Sequence, residues 1–153
     1  MARSTQASTQ AKADCEIVMN FGLPLVEEIL KRHGEFLPFG AAMRPSGEVI
    51  CLGAYDGRTY PSLAGSFTEL IGSLKEALVA GAQRQEYVAT ALFYEVGMTL
   101  PAGGERIDAV AVSLNHRDAY SVILLLPYKI EDGGVVYDSP HAQPGEADIF
   151  PSR

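Results

Sequence analysis

The chain has 153 residues, 47% of them apolar and 20% charged, which is enough for one hydrophobic core and too apolar for wholesale disorder. Twelve Lys and Arg stand against 19 Asp and Glu, a formal charge of −7, and the basic residues are scattered instead of forming a stripe, so nucleic acid is excluded as a partner. No apolar run reaches the ~18 residues of a membrane span and no signal-peptide pattern opens the chain, so the expectation is a cytoplasmic protein without membrane contact.

Residues 1–13, MARSTQASTQAKA, offer little to bury and are expected to form a disordered tail ahead of a single domain at 14–153. Ile17, Val18, Phe21, Leu25, Ile29 and Leu30 then recur at helical spacing until Lys31-Arg32-His33-Gly34, whose basic residues and glycine mark a helix end. Pro24 either kinks that helix or begins it. From Phe36 to Tyr55 two apolar runs flank Arg44-Pro45-Ser46-Gly47, a type I turn spelling, and read as a hairpin that Asp56-Gly57 breaks. Leu63, Phe67, Leu70, Ile71, Leu74 and Leu78 share one helical face, with Ser62 as N-cap and Gly81 near the stop. Three β-rich runs follow: EYVATALFYEVGMTL, RIDAVAVSLN and AYSVILLLPY, separated by PAGGE and NHRD. A short VVY and a Pro- and Gly-containing extended segment from about residue 139 complete the chain.

The order helix, strand, strand, helix, strand, strand, strand defines an α+β fold. It resembles the profilin-like topology of roadblock and longin domains, a resemblance that implies a five-stranded antiparallel sheet with both helices on one face. Separately, HRD-x-Y, LPY and AQPGE-x-x-IFP resemble a family of small bacterial proteins, from which no activity or residue role carries over.

Asn115-His116-Arg117-Asp118 contains the letters that open a kinase catalytic loop, yet the position five residues after Asp118 is Ile123 where a metal-holding Asn is needed. Two apolar runs flank it, so a hairpin turn is the reading, with His116 and Arg117 left as candidate ligand contacts. Gly103-Gly104 has no Gly-Lys successor for a phosphate loop, and neither Ser46 nor Ser66 lies in a nucleophile elbow. His33, His116 and His141 lack zinc spacing, and Cys15 and Cys51 form no C-x-x-C pair and read as packing thiols, so no metal and no cofactor are expected. Glu95 is a third candidate contact: it stands inside an apolar strand, where burial would raise its pKa.

YSVILLLPY is apolar on both strand faces, Tyr120, Val122, Leu124 and Leu126 on one side and Ile123 and Leu125 on the other. Helices on one face cannot cover both. The C-terminal segment, with Ile149 and Phe150, offers partial cover, and a second subunit offers the rest; the expected homodimer interface is Tyr120, Val122, Leu124 and Leu126. The expected function is a self-associating protein-interaction module without catalysis. The alternatives are a small-molecule binding or hydrolytic protein with a pocket between sheet and helices, and an acidic partner for a basic protein.

Overall fold

The computed structural model describes residues 2–53, 67–99, 104 and 106–150, with side chains from Thr9 in the first helix and from Glu69 in the second. Helix α1 spans Ala2–His33 and α2 Phe67–Gln83. The strands are β1 Phe39–Met43, β2 Val49–Leu52, β3 Ala89–Thr99, β4 Arg106–His116, β5 Tyr120–Glu131, β6 Gly134–Tyr137 and β7 His141–Pro144. They form one antiparallel sheet in the order β2-β1-β3-β4-β5-β6, with β7 also on β5. The described residues thus hold seven strands where the sequence reading has five.

Residues expected as a tail continue α1 upstream, and Ala11 is fully buried. Alanine and glutamine in that stretch are good helix formers, a preference that its low apolar content conceals. The buried stripe of α1 is Ala11, Cys15, Val18, Gly22, Val26, Ile29 and Leu30, while Ile17 and Phe21 face outward at 52% and 46% exposure. Gly22 sets this rotation. A Cβ there would lie 2.3 Å from Cζ of Phe93, so only glycine lets the helix come down on β3. Pro24 sits inside the helix on its exposed side, and Gly34, at φ +76°, ends the helix by donating to the Leu30 carbonyl.

The turn at Arg44–Gly47 closes as expected, with the Gly47 N–H on the Arg44 carbonyl at 2.8 Å. Ser62, Leu63, Ser66, Asp56-Gly57 and Gly103 lie outside the described residues. Gly81 lies near the stop, as expected, though short of it, and the Tyr87 ring fills the position its Cβ would take. The helix ends instead with Gln85 in the left-handed region, Glu86 donating to Gly81 and Gln85 to Ala82, a Schellman arrangement.

The helices lie on opposite faces of the sheet, a correction to the single helical face implied by the profilin-like resemblance. Alternation along the strands separates the faces. Phe39, Ala41 and Met43 of β1, Ala89, Ala91 and Phe93 of β3, and Val110, Val112 and Leu114 of β4 pack with α1. Ala42 faces the other way, into a cluster with Leu78 and Ala82 of α2, Tyr87 and Ile149. Gly40 shares that face, with Leu78 Cδ1 3.8 Å from where its Cβ would be. The central strand is β4, buried at every residue from Ala109 to His116 because layers cover both its sides.

β6 and β7 are one edge strand with an extra residue in it. The turn Asp132-Gly133, with φ of +50° and +76°, joins Glu131 to Gly134 in a two-residue hairpin of type I′ character. Pairing runs from Glu131↔Gly134 to Tyr128↔Tyr137 and the Asp138 N–H on Pro127, then resumes at Leu125↔His141. Leu126 therefore faces both Ser139 and Pro140, a β-bulge. Pro140 and Pro144 donate nothing along this edge, which discourages further strand addition there.

Candidate functional site

The His-Arg-Asp stretch is a hairpin, shorter than expected. Asn115 and His116 belong to β4, and Arg117, Asp118 and Ala119 form a three-residue connection with Ala119 at φ +67°. His116 is buried at 4% exposure. Its Nε2 lies 2.9 Å from Oδ2 of Asp14 on α1, and its Nδ1 accepts the Asp118 N–H at 3.1 Å. That second bond assigns the proton to Nε2, so the imidazole donates to Asp14. The Asp14 carboxylate also accepts from Gln10 at 2.8 Å. Both ring nitrogens of His116 are thus engaged in pinning α1 to the β4–β5 hairpin. Arg117 is exposed, and its backbone N–H donates to the Val88 carbonyl.

Cys15, next to Asp14, is buried, and burial followed by the neighbouring Asp14 and Glu16 charges pushes its thiol up to about 12, which leaves it unreactive. Cys51 corrects the packing assignment: it is exposed on β2.

Glu95 is half-buried on the α1 face. Its Oε1 accepts the Phe36 N–H at 2.7 Å and its Oε2 the Tyr128 hydroxyl at 3.3 Å. Burial raises its pKa against the opposing effect of those two hydrogen bonds. Tyr137 makes a similar link, donating to Glu27 of α1 at 3.1 Å, and burial beside that carboxylate raises its pKa too. Glu95, His116 and Arg117 therefore do not converge: Glu95 and His116 each tie one element to another, at separate places under α1.

Tyr120, Val122, Leu124 and Leu126 all face α1 and pack in its cluster. Their side of β5 is occupied within the chain. The opposite side is covered as well, so no residue from Tyr120 to Tyr128 is exposed. The burial argument for a subunit contact through this strand consequently lapses.

The opposite cover is the C-terminal segment. Past Pro144 the chain leaves the sheet edge at Gly145, whose absent Cβ would meet Ser121 Oγ and the Val122 N, and turns over the face of β5. Gly145 N–H donates to the Ser121 carbonyl at 3.2 Å, and Ala147 N–H to Ser121 Oγ at 3.0 Å, which itself donates to Asn115 Oδ1. Lys75 of α2 reaches Glu146 at 3.1 Å and Asp148 at 2.9 Å. Ile149, 4% exposed, then enters the cluster of Ala42, Leu78, Ala82 and Tyr87, with Phe150 packed alongside. Burial works against the Lys75 charge, but hydrogen bonds from it to Asp148 and Glu146 outweigh that and hold its pKa above the ordinary value. This strap, Gly145–Phe150, with its seat between α2 and the sheet, is a candidate site that pattern reading glimpsed only through Ile149 and Phe150.

A second feature is a groove of about 350 Å³ at the far end of β4–β6, lined by Ile107, Pro127, Tyr128, Lys129, Glu131, Val136, Tyr137 and Asp138. It lies at the sheet's end and not between sheet and helices. Among the described residues no group of three or more His, Cys, Asp and Glu is placed to hold a metal ion, and no helix is long and apolar enough to cross a membrane.

The architecture makes this an α+β protein built on an open antiparallel sheet with one helix on each face. No family model, no curated protein and no solved structure matches the chain.

Proposed function

We propose that the protein is a non-enzymatic, self-associating interaction module. The observation that carries this reading is the employment of its best candidate groups: His116 and Asp14 bind each other, and Glu95 holds Phe36 and Tyr128. Catalysis needs a base or nucleophile with a free valence toward a substrate. Here those valences join secondary-structure elements. What such a chain offers a partner is surface shape and apolar contact, and a second copy is the commonest partner of soluble proteins. Sedimentation equilibrium across the micromolar range tests it: a concentration-dependent rise above the 16.4 kDa chain mass is the expected result, and a monomer throughout refutes it.

The groove at Ile107, Pro127 and Val136 favours a second reading, binding of a small molecule, because its volume lies within the range of ligand sites. Its lining offers no Ser, Cys or His as a nucleophile, and the reading taken is one of binding. Chemical-shift changes confined to Ile107, Lys129 and Val136 in a ligand screen would support it. Changes spread over the surface would not.

A further inference from the structure

Resting on the second reading, that the groove at the end of β4–β6 binds a small molecule, we propose that its ligand is a zwitterion with an apolar side chain, of the size of a free amino acid. The groove opens where the sheet forks. Pairing of β4 with β5 ends at Ala109↔Pro127, while β4 runs on to Arg106 against β3 and β5 runs on to Glu131 against β6. Pro127 closes the fork, Ile107 stands on one prong and Val136 on the other. Strand alternation turns these three toward the face away from α1, where Val136 is 50% exposed, and they give a ligand an apolar floor. A volume of about 350 Å³ is at the lower end for ligand sites and suits a small occupant.

Three charged side chains surround that floor, and they suit two opposite charges at once. Lys129 faces Val136 in register, with Glu131 two residues along its own strand and Asp138 two residues along the neighbouring one. Among the described residues, the charged ends of Lys129 and Glu131 have no hydrogen-bond or ion-pair partner. Asp138 uses one carboxylate oxygen to accept the Ser139 N–H at 2.7 Å and keeps the other. Its backbone carbonyl is open too. Asp138 donates its N–H to the Pro127 carbonyl at 2.8 Å, and a ladder partner would return that bond, but proline has no N–H to return. A ligand ammonium therefore meets the Asp138 carbonyl, the second Asp138 carboxylate oxygen and Glu131, while a ligand carboxylate meets Lys129. An anion alone is opposed by two carboxylates and by a chain of net charge −7, and a cation alone leaves Lys129 beside like charge. An amino acid answers all three groups.

The test titrates the isotope-labelled full chain with L-leucine, with 3-methylbutylamine, which lacks the carboxylate, and with 4-methylpentanoate, which lacks the ammonium. Shifts at Ile107, Lys129 and Val136 report binding. Leucine should bind at least about fivefold more tightly than either single-charge probe. Lys129→Gln should lower leucine to the affinity of the amine, and Glu131→Gln with Asp138→Asn should lower it to that of the carboxylate. These side chains are exposed, so the variants leave the core untouched. Leucine bound no better than 3-methylbutylamine, or no better than 4-methylpentanoate, overturns the zwitterion while leaving small-molecule binding in place. A groove silent to all three probes also overturns it, and one silent to a broad fragment library removes the binding reading as well.

Discussion

The two faces of the sheet are covered in different ways. On the α1 side, strands present Phe39, Phe93, Val110, Val112 and Leu114 to one continuous helix, with Phe93 stacked on Phe39 at 4.8 Å and the helix lowered onto it at Gly22. On the other side the same strands present Gly40, Ala42, Thr90, Leu92, Tyr94, Ala109, Ala111 and Ser113, and two separate pieces, α2 and the strap, make up the cover. Large side chains under a single element form a unit that opens only with the whole fold. Side chains shared between two elements allow one piece to lift while the other stays. The stable layer and the adaptable layer are therefore opposite sides of one sheet.

Four substitutions test that contrast. Phe93→Ala should cost about 4 kcal/mol in denaturant unfolding, since a fully buried ring is removed from the rigid layer. Ile149→Ala should cost about 2 kcal/mol, and it should raise hydrogen exchange around Ser121 and Ala147 without raising it around Phe93. Equal exchange on both sides would break the comparison. Asp14→Ala strands the His116 Nε2 proton beneath α1 and should cost about 1.5 kcal/mol by the same measurement. Lys75→Met, in ion pairs that stay partly open to solvent, should change stability by at most about 0.5 kcal/mol.

Acidity gives a finer test on the α1 side. The folded-state pKa of Glu95 is raised above the ordinary 4.5, first by burial, so its protonated form is the one that suits the fold. Its favourable contribution is complete below the unfolded value and is lost as pH climbs through the higher folded value. Glu95→Gln should flatten the pH–stability curve in that window, and an unchanged curve would show that another group governs it.

Element order was legible because hairpin turns and amphipathic spacing are local. Arg44–Gly47 and the loop after His116 are both spelled in residues that favour turns. The phase of α1 is not legible in the sequence because Ile17 and Phe21 are as apolar as the residues that are buried, and what decides between them is the small size of Gly22 opposite Phe93, a tertiary fact. The extra strands are signalled in the sequence, since Asp132-Gly133 is a two-residue hairpin spelling between the apolar runs around Ile130 and Val135. The candidate site was not. His116 meets Asp14 across 102 positions, and Lys75 meets Asp148 across 73, distances at which spacing carries no information.

The pair Ser139 and Pro140 opposite Leu126 acts as a parity switch for β7. Side chains in an extended chain alternate in twos, so one surplus position inverts which of them look up and which look down. Deleting either residue would turn His141, Ala142 and Gln143 to the opposite faces against β5. Length at this point accordingly decides which side chains of β7 look toward α1.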